Sequence, residues 1–389
     1  MSTQTAQSID FTHTYPQQGF RLLELSPELL ELLSSNNPPA LYLKSPSSDA
    51  HEATSEVGTR EYVNLCTPTK TFRLRQVHTS NSVHIIRPSD GSKSADDGTY
   101  EVERDELNLM ETMTVIAKCG STLEFDAPEE GTPTSPFLEK GLILYDSLST
   151  DADVETSMLS ANLSFSQKRR VKDEIFGDVP ASMFQCESAW TELCAFVHEN
   201  SSSHLLAGFR PSASVKLDVW KRTLEGSVIR AIDLAKQFLV KDLWNSILDD
   251  GEDEPFPWDL FQVVVRRLAE PPGQDELRSE IEEPKWANID KTTCIRWVGE
   301  TYLEAKAPAM TSAIEQSQFM KEWMDLLPES WRDDASVTHL TEGSYRYQNQ
   351  AMIYFISNSE RQKERKNASN SSSNTSRNWH ERFKAQRKQ

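Results

Sequence analysis

Residues 69–88 read TKTFRLRQVHTSNSVHIIRP, and the alternation in this stretch decides what kind of domain opens the chain. Phe72 and Leu74 alternate with Arg73 and Arg75, the period of two that puts one face of a strand on a core and the other in water. Ser80-Asn81-Ser82 carries turn chemistry, and Val83 to Ile86 resumes the apolar pattern, so a β-hairpin is expected here. Outward from it, residues 40–44 (ALYLK) and 62–66 are strand-like, as are residues 112–125 beyond a polar loop at 89–106. Upstream, the short apolar run FRLLEL at 20–25 leads into a helix start. Ser26 is the N-cap, Pro27 the first helical position, and Glu28 an acid in the first turn. Leu29, Leu30, Leu32 and Leu33 are expected on the apolar face, and Asn36-Asn37-Pro38-Pro39 stops the helix. Several short strands with one helix predict a small barrel or sheet and argue against alternating βαβ units.

Beyond residue 155 the apolar period changes from two to 3.6. Met183, Cys186, Trp190, Leu193, Cys194 and Val197 make one helical stripe; Val240, Leu243, Trp244, Ile247 and Leu248 a second; Phe261, Val264, Val265 and Leu268 a third. Ile295, Val298 and Tyr302 mark a further helix, and Phe319, Trp323 and Leu327 another that Pro328 ends. A short helix is expected over 334–341, and SYRYQNQAMIYFI at 344–356 reads as two strands around a polar turn. Three helices followed by a hairpin is the order of a winged-helix domain. The expected division is a polar arm at 1–18, a β-rich domain at 19–127, a linker at 128–155, winged helices at 156–212, 213–285 and 286–358, and a basic tail at 359–389.

Sixty carboxylates stand against 41 Lys plus Arg, a net charge of −19, so any contact with nucleic acid must come from a local basic patch. Five cysteines, with no CxxC spacing, read as buried thiols of a reducing compartment. The opening residues show no basic-then-apolar leader and no run reaches the length of a membrane span, so a nuclear or cytosolic chain without membrane contact is expected. His78 and His84 have no cysteine or carboxylate partner at ligand spacing, so no metal site is expected. A phosphate-cradling GxxxxGK[ST] loop, GxGxxG, GxSxG and HExxH are all missing, so neither a cofactor nor catalysis is expected.

Basic patches remain. Lys168, Arg169, Arg170 and Lys172 are either a solvated helix face or phosphate contacts. No carboxylate interrupts residues 62–89, which leaves Lys70, Arg73, Arg75 and Arg87 on a locally positive strand pair. The tail holds Arg361, Lys363, Arg365 and Lys366 at its start, and a DNA-touching arm, a nuclear import signal and a soluble end all fit it. Its Trp379 and Phe383, four apart, suit anchoring on a partner. Residues 286–358 carry six Lys and Arg against ten Asp and Glu, the wrong sign for a recognition helix in DNA, so that module is expected to bind protein.

FRLLELSPELLELL at 20–33, LYLK at 41–44 and NLCTPTKTFRLRQVHTSNSVHII at 64–86 form an ordered set, and FMKEWMDLLPESW at 319–331, THLTEGSYRY at 338–347 and AMIYFI at 351–356 add to it. Together they resemble the sister chromatid cohesion Dcc family, a non-ATPase subunit of the alternative (chromosome transmission fidelity) replication factor C clamp loader. The likeness is closest over 20–88 and 110–125, looser over 290–356, and by element order alone over 160–270. It implies an α+β fold: an N-terminal β-barrel-like domain completed by partner subunits, then tandem winged-helix domains. It also implies obligate assembly with the small and large clamp-loader subunits, docking on DNA polymerase epsilon, contact with DNA, an indirect link to PCNA, and a nuclear location. Carried onto this chain, Leu65, Phe72, Leu74, Val83 and Ile85 would lie on the barrel surface that meets partner subunits. Polar insertions at 45–61 and 89–106, the acidic run at 249–254 and the tail depart from the family pattern. The rival expectation is a winged-helix interaction scaffold or transcription regulator; the latter needs the basic recognition helix that the last module lacks.

Overall fold

The computed structural model describes residues 11–13, 16–45, 63–89, 112–126, 134–146, 164–199, 205–248, 254–269, 285–358 and 360–361. The fold is α+β, and it falls into two compact units: Met1–Thr132 with Pro180–Met183, and Pro133–Val179 with Phe184–Gln389.

The first unit is built on β1 (Phe11–His13), β2 (Leu22–Glu24), α1 (Pro27–Leu33), β3 (Tyr42–Lys44), β4 (Val63–Cys66), β5 (Thr71–Ser89) and β6 (Thr112–Asp126). Ser26 caps α1 as its sequence dictates, its Oγ accepting from the Leu29 N–H at 3.4 Å, with Pro27 in the first turn. The sheet runs β1-β6-β5-β4-β3, with β2 also on β6, and among the described residues it stays open. Under α1, Leu29 covers Leu65 and Phe72, flanked by Leu25, Leu32, Leu41 and Phe125, and along β6 Val115, Ile116, Ala117 and Cys119 are buried as well. Leu30, expected on the apolar face of α1, is exposed, because in a helix this short the covered arc is narrow and Leu29 fills it.

The expected hairpin at residues 69–88 is corrected. β5 is one strand from Thr71 to Ser89, and its antiparallel partner is β6, from Arg73↔Asp126 to Ser89↔Thr112. Ser80-Asn81-Ser82 is not a turn but part of a bulged stretch: β5 advances from His78 to Val83 while β6 advances only from Ser121 to Cys119. A tight hairpin turn needs residues at positive φ, and the non-glycine residues that adopt it here are Cys194 and Ala231, neither of them in this stretch. A second long strand gives β5 far more ladder than a fold-back would.

The second unit opens with α2 (Ser135–Lys140) and β7 (Ile143–Tyr145), so part of the stretch read as a linker is folded. It continues through α3 (Phe165–Asp178), α4 (Met183–Glu192), β8 (Phe196–Glu199), β9 (Leu206–Pro211), α5 (Ala213–Ile229), β10 (Phe238–Leu239), α6 (Val240–Ile247), α7 (Trp258–Leu268), β11 (Trp286–Ala287), α8 (Lys291–Lys306), β12 (Ile314–Glu315), α9 (Gln316–Asp325), β13 (Tyr345–Tyr347) and β14 (Met352–Phe355). The helical stripe expected through Val197 stops earlier: Cys194 takes φ 52°, a left-handed exit, and Val197 joins β8. Three small sheets punctuate the helices, in orders β7-β9-β8, β10-β11 and β12-β14-β13. The expected short helix at 334–341 is replaced by 3-10 turns at Glu329–Asp334 and Val337–His339, where Ser336 and Thr338 bond locally and compete with an α-helical ladder. One continuous core runs from Cys194 to Ile353, with Trp220, Phe261, Phe319 and Trp323 fully enclosed.

Candidate functional site

Two surfaces and one chain end hold the residues that sequence reasoning put forward. On the sheet, Leu65 and Phe72 are buried against Leu29 and serve the unit's own core. Leu74 and Ile85 are half-buried on β5, opposite Phe125 and Ala117. Val83 is 44% exposed, and Ile86, three residues further on and past a register shift, 46%. The strand β4 covers only Thr71–Leu74 of β5, so beyond Leu74 the outer edge of that long strand has no described strand alongside it. At the far edge of the sheet, Tyr42 and Leu43 of β3 are exposed as well. The positive charge on β5 is partly met from β6: Arg75 donates to Glu124 Oε2 through Nη2 at 2.8 Å and Nε at 3.1 Å.

The basic run on α3 is dispersed by the fold. The helix starts in a reciprocal cap, Ser164 Oγ accepting from the Gln167 N–H and Gln167 Oε1 accepting from the Ser164 N–H. Lys168 Nζ then pairs with Asp259 at the start of α7, and Lys172 Nζ with Glu187 Oε2 of α4 at 2.6 Å. The Lys172 ammonium also lies 5.4 Å and 5.3 Å from the ring centroids of Phe176 and Trp190. Burial is the main cause of a lowered Lys172 pKa, opposed by Glu187. Arg169 reaches Asp173 along its own helix at 3.8 Å. Arg170 is exposed, with no ion pair among the described residues. Two of the four cations thus join helices inside the unit, where a phosphate could reach them only by breaking those pairs.

Arg361 belongs to the fold: it donates to the Asn358 side chain and packs near Gly343, which sits at φ +78°. Lys363, Arg365 and Lys366, with Trp379 and Phe383, lie outside the described residues. His78 and His84 are exposed, and among the described residues no three His, Cys, Asp or Glu side chains gather as a metal cage would need. All five cysteines are buried free thiols, and burial raises Cys66, Cys194 and Cys294 above the ordinary thiol range, which keeps them protonated and unreactive. A cavity of about 520 Å³ in the second unit is lined by Tyr145, Val219 and Phe256 with Asp218, Lys221, Arg222 and Glu225, a mixed set that favours neither sign of ligand. No helix among the described residues is long and apolar enough to cross a membrane. Sequence reasoning missed the exposure of Trp286 on β11, whose indole is 53% exposed; a tryptophan beside charged residues was its only sequence signal.

The fold and its surfaces define an α+β protein that exposes a long strand edge in one unit and ties its helices together by ion pairs in the other. A family model described as sister chromatid cohesion protein Dcc1 matches residues 20–384, nearly the whole chain, and the chain belongs to that family. Membership implies a role in sister chromatid cohesion. Comparison with curated proteins returns no match.

Proposed function

We propose that this chain is a non-catalytic nuclear subunit of an alternative replication factor C clamp loader, acting in cohesion by assembly with a small and a large partner subunit. In this reading it helps load or unload PCNA, docks on DNA polymerase epsilon and contacts DNA. The observation that carries it is the sheet, open among the described residues: β5 extends well past the end of β4, with Val83 and Ile86 exposed along it. A strand edge of that length invites strands from another chain, and a β-barrel closed by partners would cover it. The order α8, β12, α9, two 3-10 turns, β13, β14, with sheet order β12-β14-β13, supports the winged-helix reading of the last module, and the free hairpin end suits a docking element.

The test is affinity purification of the tagged full chain from nuclei, with native mass spectrometry of the product. Clamp-loader ATPase subunits in stoichiometric amount are expected, and Val83→Asp with Ile86→Asp is expected to release them. Recovery of cullin-type partners in their place, or of the bare chain alone, refutes the assignment.

A further inference from the structure

Five Ser/Thr-Pro pairs stand in the chain, at Ser26, Ser45, Thr67, Thr132 and Ser135, each a sequence match for a proline-directed kinase. Such a kinase needs a hydroxyl that reaches solvent and extended backbone around it, and the fold sorts the candidates on both counts. By sequence alone Thr67 is favoured, because Lys70 supplies the cation that many of these kinases prefer three residues on. The structure closes it: the residue is 4% exposed in the connection between β4 and β5. Its Oγ1 accepts from the Lys70 N–H at 2.9 Å and donates to the Lys70 carbonyl at 3.0 Å. Ser135 is 2% exposed at the first position of α2, where its Oγ donates to Glu192 Oε2 at 2.8 Å. Ser26 caps α1, so the residues after it are wound into helix and its Oγ is engaged by the Leu29 N–H. Thr132 lies outside the described residues.

Ser45 passes on both counts. It directly follows β3, the end strand of its sheet, and no described strand lies along the outer side of β3. Tyr42 and Leu43 just before it are exposed, and Ser45 is exposed as well. Among the described residues no hydrogen bond holds its hydroxyl. We infer that Ser45 is a phosphorylation site for a proline-directed kinase acting on the folded chain. In that step Ser45 Oγ attacks the γ-phosphorus of ATP. The new O–P bond forms as the bond to the β-phosphate oxygen breaks, ADP leaves, and the hydroxyl proton passes to the base of the kinase. The product carries about two negative charges at the end of an exposed apolar edge. Charge on a free edge works against pairing with another strand, so the modification sets whether that edge can take one. The inference uses accessibility alone and stands apart from the clamp-loader assignment.

It is tested by incubating the folded full chain with a purified cyclin-dependent kinase and ATP and mapping the phosphopeptides by mass spectrometry. Synthetic peptides carrying the same pairs serve as unfolded references. Among the peptides, Thr67 should be modified at least as fast as Ser45. In the folded chain the order should reverse, with Ser45 at least about tenfold ahead of Thr67 and Ser135, whose hydroxyls must first be freed by local opening. Ser45→Ala should remove most of the incorporated phosphate and keep the wild-type unfolding midpoint, because the side chain is exposed. The tagged full chain, purified from dividing cells with phosphatase inhibitors, should carry phosphate at Ser45.

Ser45 left unmodified in the folded chain overturns the inference, whether or not its peptide is a substrate. Faster modification of Ser26, Thr67 or Ser135 in the folded chain overturns it too, since the cap, the β4–β5 connection or α2 would then be open to the kinase. A larger share at Thr132 reassigns the site and has the same effect. Phosphate absent from Ser45 in the chain from dividing cells confines the reaction to the test tube, and the inference falls.

Discussion

Gly299→Ala should destabilise the second unit, although alanine is the better helix former. Gly299 lies inside α8, where replacing glycine by alanine ordinarily gains ~1 kcal/mol. Here a Cβ would stand 2.6 Å and 2.8 Å from Trp323 Cε2 and Cζ2 and 2.9 Å from Leu340 Cδ2. Carbon atoms pack at about 3.5–4.0 Å, so the indole would have to retreat by about 1 Å. It cannot do so freely: Trp323 is fully buried, stacks on Phe319 at 5.2 Å, and donates from Nε1 to the Ile295 carbonyl at 3.0 Å. Overpacking of this kind costs about 1–3 kcal/mol, and weakening the indole hydrogen bond adds ~1 kcal/mol. The net loss is about 1–3 kcal/mol, or about 3–9 °C in a unit of this size. Gly177→Ala on α3 is the matched control, because nothing lies within 4 Å of a Cβ there; it should hold or raise the midpoint. All nine tryptophans lie beyond residue 184, so tryptophan emission during heating follows the second unit in preference to the first. A Gly299→Ala midpoint equal to or above wild type would show that α8 and α9 are not in close contact at this position, and the packing argument would be wrong.

Two further outcomes separate structural from recognition roles. Lys172→Ala should lower stability by about 1–3 kcal/mol in urea unfolding, because it strands Glu187 beside Trp190, and should leave oligonucleotide affinity unchanged; intact stability with weaker binding would return Lys172 to the nucleic-acid surface. His198 is pushed below its ordinary pKa chiefly by burial, with Phe196 and Phe209 beside it; Asp259 and Glu199 oppose that shift and Lys168 adds to it. The folded state therefore binds its proton less well than the unfolded state. Its contribution to stability is present above about pH 6.5 and lost as pH falls through the lower folded value. His198→Phe should flatten the fall in stability between about pH 7 and pH 5.5, and an unaltered pH slope would assign that fall to other groups.

What was legible in the sequence was local. Ser26-Pro27 announced α1 because a cap and its first turn are set by neighbouring residues, and residues 344–356 announced β13 and β14 because their turn lies between them. What was illegible was pairing at a distance. The alternation of Phe72, Arg73, Leu74 and Arg75 marked a strand correctly, yet it could not say that the partner begins at Thr112 and not at Val83. The same limit governs exposure: Leu65 and Phe72 look like Val83 and Ile85 in a pattern, and only the arrival of Leu29 over the first two divides them. Part of 128–155 looked like a linker because Pro and Gly flank it, while β7 earns its place through a parallel pairing with β9 that no local signal carries.

Charge follows the same logic, with a functional consequence. A run such as Lys168-Arg169-Arg170 is conspicuous in a sequence, but on a helix its members point in different directions, and in a chain with an excess of carboxylates the inward ones meet acids from other elements. Asp259 reaches Lys168 from another helix, so the pair is invisible until the fold is formed. In an acidic protein the conspicuous basic run is therefore a poor guide to an anion-binding surface until the acids that fold against it are known.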